Sequence, residues 1–159
     1  LITNHHVIED CIGIDESVTI ALPGEEPSLA VIVKWDKKND LAVLATGRML
    51  PVLQLSDNAP WPGYWVMVLG SADGYEGSVS FGNVVNFFNN EIFITNNISH
   101  GSSGGPLIDN EGFVIGVTSW GNEVKQYNGA KSLDAFCAKI LKCEFKSAGE
   151  KTWWDYSGD

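Results

Sequence analysis

Short apolar runs and period-two alternation dominate the chain, and turn residues break them at close intervals. Alternation or a short apolar run predicts strands near Val18–Leu22, Leu29–Trp35, Leu41–Ala45, Tyr64–Leu69, Ser78–Phe87, Glu91–Thr95 and Phe113–Trp120. Pro23-Gly24, Asp73-Gly74 and Asn89-Asn90 suit tight turns, and Asp109-Asn110-Glu111-Gly112 lies between two apolar runs as a hairpin connection would. Helical periodicity arises late, from Ser132 to about Lys142, with Leu133, Phe136, Cys137, Ile140 and Leu141 on one face. The expectation is an all-β chain with a C-terminal helix.

Organisation follows from the breaks in this pattern. Gln54–Gly63 contains Asp57-Asn58-Ala59-Pro60 and Pro62 where one group of strands gives way to another, so it reads as the connection between two lobes. The expected division is residues 1–56, residues 57–143, and a tail or further segment at 144–159 that is polar apart from a few aromatics such as Trp153, Trp154 and Tyr156. Leu1-Ile2 runs straight into Thr3-Asn4-His5-His6 with no strand ahead of it, which reads as a fragment, truncated at its N-terminus. Any signal peptide would lie upstream.

Composition narrows the class. With 159 residues, 44% hydrophobic and 19% charged, the chain can bury a core. The net charge of -10 provides no basic stripe for phosphate neutralisation and argues against nucleic-acid binding. No apolar run approaches the roughly 18 residues that a membrane-spanning helix needs. Three cysteines, Cys11, Cys137 and Cys143, are an odd number. Cys137 and Cys143 lie too far apart to bridge across an unbroken helix, so no disulfide framework is expected. Cys11 reads as a small buried hydrophobe.

The chemistry centres on His100-Gly101-Ser102-Ser103-Gly104-Gly105-Pro106-Leu107. Glycines flanking a serine let the backbone turn sharply, expose the hydroxyl and aim successive N–H groups into one small space, as acyl transfer requires. A short Gly/Ser string can equally be a plain turn. Two other stretches change that balance. In Leu1-Ile2-Thr3-Asn4-His5-His6-Val7-Ile8 an apolar strand delivers a histidine into a turn, and in Lys38-Asn39-Asp40-Leu41-Ala42-Val43-Leu44 an aspartate stands at the mouth of an apolar strand. Such an aspartate can cap a turn, or accept a proton from imidazole Nδ1 and fix the tautomer.

In the order His, Asp, Ser, these stretches resemble the trypsin-like (chymotrypsin-fold) serine proteases. Their wording is closest to the HtrA (Deg) branch, which writes T-N-x-H-V, D-L-A-V-L and G-x-S-G-G-P-L. The resemblance implies His6 as general base, Asp40 as its orienter, Ser103 as nucleophile, and the N–H groups of Gly101 and Ser103 as the oxyanion hole. His5 takes the variable position. Val117-Thr118-Ser119-Trp120-Gly121 looks like the family's substrate-binding strand, which pairs with substrate backbone. The implied fold is two antiparallel six-stranded β-barrels with the triad at their junction. The first barrel is incomplete here, because roughly two family strands precede the histidine turn.

By family position, Asn97 lies at the base of the specificity pocket, with Ile98 and His100 along one side and Gly121 and Gly129 along the others. No carboxylate is expected at that base, which disfavours lysine or arginine before the scissile bond and leaves an apolar or uncharged residue. Ser102 replaces the aspartate with which digestive relatives pair a freed N-terminus, so zymogen activation of that kind is not expected. Branch members normally continue into a PDZ domain, for which nothing after Lys142 is long enough.

The implied function is a serine-type endopeptidase acting on polypeptides, without cofactor or metal. Exported relatives suggest a periplasmic or extracellular location. The alternative is a catalytically inactive protease-fold module that binds peptide at Ser119, Trp120 and Gly121. A metal site of His5, His6 and His100 is disfavoured, since adjacent histidines point apart and no carboxylate or thiol cluster joins them.

Overall fold

Alternating sequence becomes strand wherever a turn can close it. The computed structural model describes residues 1–57, 60–122, 124, 127–137 and 140. Its strands are β1 (Ile2–Thr3), β2 (Ser17–Ile20), β3 (Ser28–Asp36), β4 (Leu41–Ala45), β5 (Trp65–Gly70), β6 (Ser78–Phe88), β7 (Glu91–Ile94), β8 (Pro106–Asp109), β9 (Val114–Trp120) and β10 (Asn128–Ser132). A one-turn helix α1 (His5–Ile8) follows β1, and α2 (Leu133–Phe136) follows β10. Asn89 and Asn90 both take positive φ, 52° and 63°, between β6 and β7, which fits the right-handed twist of a tight hairpin.

The strands form two antiparallel sheets. One has four strands in the order β1-β4-β3-β2; the other closes into a barrel in the order β10-β7-β6-β5-β8-β9. The fold is therefore all-β, with one complete six-stranded barrel, one incomplete sheet and a short C-terminal helix. Val66 and Val68 of β5, Val84, Ile92, Ile94, Leu107, Ile115 and Ala130 fill the barrel. Each large side chain buried there contributes about 1.5–3 kcal/mol. In the open sheet Ala30 and Ile32 of β3 face Ala42 and Leu44 of β4 under Ile8, with Cys11 packed alongside.

A second cluster joins the two sheets. Leu41, with Ile2 and Val43, packs against Val117 of β9 and against Ala135, Cys137 and Ile140. Lys34 Nζ of β3 donates to the Ile140 carbonyl at 3.2 Å. The mouth of β4 is thereby held against β9. The segment expected to connect two lobes is itself stitched to the barrel: Ser56 N–H donates to Val114 O and Val114 N–H to Gln54 O, both at 2.8 Å.

Three expectations change. Strand β10 was not anticipated, because Asn-Gly-Ala-Lys-Ser has no alternation; it exists through pairing with β7 on one side and β9 on the other. The helix predicted over Ser132–Lys142 is α-helical at Leu133–Phe136 and π-helical at Cys137 and Ile140. Residues 138–139 and 141–142 lie outside the described residues. Cys137 is disulfide-bonded, against the expectation of no bridge, and its partner lies outside the described residues. An unbroken α-helix would keep the two cysteines apart, whereas the α-helix gives way to π-helix at Cys137. Cys11 is a free thiol.

Candidate active site

The site is assembled from ends of strands. Asp40 stands just before β4 with φ of +51°, a left-handed conformation uncommon for any residue but glycine. Asn4, fully buried, holds it there by donating Nδ2–H to the Asp40 carbonyl at 2.9 Å. Immediately after Asn4, α1 begins and turns His6 toward the same aspartate. His6 N–H donates to Asp40 Oδ1 at 3.0 Å, and His6 Nδ1 lies 3.0 and 2.9 Å from Oδ1 and Oδ2. A carboxylate only accepts, so in the neutral ring Nδ1 carries the proton and Nε2 keeps a lone pair. The imidazole is 44% exposed and its partner 22%, so the pair sits at the surface of the cleft.

A second strand reaches the same carboxylate. Ser119, near the end of β9, donates its hydroxyl to Asp40 Oδ2 at 2.6 Å, and its carbonyl accepts from Ser103 Oγ at 3.3 Å. The Ser103 hydroxyl thus points to β9 rather than to the imidazole. His6 and Ser103 nonetheless line one cavity of about 1020 Å³.

The loop carrying Ser103 is clamped. Gly104 N–H donates to Thr118 O and Thr118 N–H to Gly105 O, both at 2.9 Å. Thr118 Oγ1 lies 2.6 Å from Ser102 O. Gly101 and Gly104 have φ of +91° and +83°, and a Cβ would fall 2.1 Å from Ser71 O at the first and 2.4 Å from Thr3 Oγ1 at the second. Only glycine fits either position. The N–H groups of Ser102, Gly104 and Gly105 are spent on Ser99, Thr118 and Ser102 carbonyls. Those of Gly101 and Ser103 have no acceptor among the described residues. Ser102 is buried, and its hydroxyl accepts from Ser99 N–H at 3.3 Å.

Asn97, Ile98, His100, Ser119 and Gly121 all line the cavity, but the Trp120 side chain does not. Its ring lies over Gly129 and makes edge contacts with Phe93 and Tyr127. His5 is buried and turned toward Glu9, 3.8 Å away, whereas His6 faces Asp40, so the two histidines diverge. Sequence reasoning missed Asn4, the Ser119 hydroxyl and Asp73, which also lines the cavity. Asn4 sat inside the T-N-x-H-V motif; nothing local marked the other two.

The family described as the trypsin-like peptidase domain matches residues 1–117. A probable periplasmic serine endoprotease, DegP-like, of Hahella chejuensis is 34% identical over 133 residues, covering 75% of this chain and 27% of that protein. The anti-sigma-I factor RsgI9 of Acetivibrio thermocellus is 30% identical over 139 residues, covering 83% of this chain and 19% of that protein. Among solved structures, the serine endoprotease from Yersinia pestis superposes with a TM-score of 0.76 at 26% identity, covering 89% of this chain and 52% of that one. The active form of the Rv3671c protease from M. tuberculosis gives 0.78 at 23% identity, covering 89% and 67%, a likeness of fold. The chain spans about a quarter of the length of its DegP-like relatives.

Proposed function

The chain belongs to the trypsin-like peptidase domain family, and from that premise we propose that it is a serine endopeptidase with Ser103 as nucleophile, His6 as general base and Asp40 as the orienting carboxylate. The observation that carries the reading is the bond from His6 Nδ1 to Asp40, which leaves Nε2 as a base in the cavity that Ser103 also lines.

The steps follow from these groups. Ser103 rotates from the Ser119 carbonyl toward His6 Nε2, loses its proton to it and attacks the scissile carbonyl. The Gly101 and Ser103 N–H groups hold the developing oxyanion, typically worth about 3–4 kcal/mol of barrier per donor. His6 then protonates the leaving amine, and water repeats the cycle to free the acyl group. The long Ser103 contact is compatible with this, since catalytic hydrogen bonds often tighten only with substrate bound.

The segment Ser119–Gly121 pairs with the substrate backbone, and Asn97, Ile98 and His100 bound the pocket for the side chain before the scissile bond. The relatives' names call them periplasmic, which supports an exported location. A non-catalytic peptide-binding module is the reading to be excluded. Ser103→Ala and wild type, each treated with a fluorophosphonate probe and a quenched peptide, decide it: wild type is labelled and cleaves, the variant does neither. Absence of labelling in folded wild type would overturn the assignment.

A further inference from the structure

Among the described residues that line the cavity holding Ser103 there is no lysine, arginine or glutamate, and Asp73 is the one carboxylate. Asp73 is far from Ser103 in sequence and reaches the site through the turn Ala72–Gly74 that follows β5. That turn is fixed to the serine loop. Ser71 N–H donates to Gly101 O at 3.1 Å and Asp73 N–H to His100 O at 2.6 Å. Gly101 has no room for a Cβ because Ser71 O occupies the space. The backbone of Asp73 is therefore held beside the nucleophile loop, and its side chain is exposed.

Asp73 has φ of +52°, and aspartate is enriched at such positions because its side chain commonly bonds its own turn. Here it makes no such bond: among the described residues the Asp73 carboxylate has no hydrogen-bond or ion-pair partner. The exposed side chain, on a residue that lines the cavity, is thereby left open to a cation.

Topology says which part of a substrate it meets. Strand β8, which the serine loop enters, lies between β5 and β9. The end of β9 with Gly121 flanks the loop on one side, and the turn after β5 flanks it on the other. The half of the substrate retained as the acyl group must stay bound after the amine departs, so it is the half paired with β9. The leaving half then crosses toward β5.

Resting on the serine endopeptidase reading above, we infer that Asp73 selects polypeptides with a lysine or arginine on the leaving-group side of the scissile bond. This adds a basic requirement beyond the bond while leaving the pocket before the bond uncharged.

The test uses quenched peptides that differ only by Lys, norleucine or Glu at each of the first three positions after the cleaved bond. For wild type, kcat/KM at one of these positions is expected to be about 5-fold higher for Lys than for norleucine, the size of an exposed ion pair, and to fall with added salt. In Asp73→Asn the Lys/norleucine ratio falls to about one, and in Asp73→Lys the preference passes to Glu. Thermal melts confirm that both variants fold. A Lys/norleucine ratio equal in wild type and Asp73→Asn overturns the inference while the endopeptidase reading stands. Folded wild type that neither labels with fluorophosphonate nor cleaves overturns both.

Discussion

Ser119 gives its hydroxyl to Asp40 Oδ2 at 2.6 Å while its carbonyl receives the Ser103 hydroxyl at 3.3 Å, so one residue of β9 touches both ends of the candidate triad. Ser119→Ala removes the donor to Asp40 but keeps the carbonyl. A hydrogen bond to a charged group is worth about 1.5–3 kcal/mol, so kcat/KM is expected to drop by about 10-fold or more. Peptide kinetics together with a thermal melt check this; unchanged kinetics would mean that His6 alone orients the carboxylate.

Asp40→Asn keeps the shape but can donate to Nδ1, favouring the tautomer with its proton on Nε2. Loss on the order of 10⁴-fold in kcat is expected, with the fold retained. Nitrogen NMR of the His6 ring reads the tautomer directly. A ring still protonated at Nδ1 in the variant would contradict the orienting role.

Asn4→Ala takes a fully buried amide from the Asp40 carbonyl. Leaving that carbonyl without its donor costs about 1–3 kcal/mol, and Asp40 is freed to relax from its left-handed conformation. Urea unfolding measures the first effect. The fluorophosphonate labelling rate measures the second, and it should fall even where the variant is fully folded.

Gly101→Ala places a methyl 2.1 Å from Ser71 O at φ of +91°. The loop must shift, and the two unpaired N–H groups shift with it. Labelling of Ser103 is expected to be abolished, with a stability loss of at least about 1–3 kcal/mol by denaturant titration.

Much of this arrangement is visible in the chain itself, for local reasons. Strands β3, β4, β6 and β7 show as alternation or short apolar runs between turn residues, and the His6, Asp40 and Ser103 stretches each carry a recognisable local wording. What stays hidden depends on distant partners. Asn128–Ser132 becomes a strand only because β7 and β9 flank it. Ser119 reads as a backbone-pairing residue until Asp40 is found beside its hydroxyl. Asp73 reads as a turn residue until the turn is found docked on Gly101.

The seam between the two sheets bears on how activity is lost. Ser103 and its loop belong to the closed barrel, whereas His6 and Asp40 belong to the other sheet, and the packing of Leu41 against Val117, Ala135 and Ile140 joins them. Parting that seam would separate the base from the nucleophile while each sheet kept its own hydrogen bonds. On mild heating most of the circular dichroism signal would then persist after activity had gone. Inactivation should therefore precede melting and reverse on cooling.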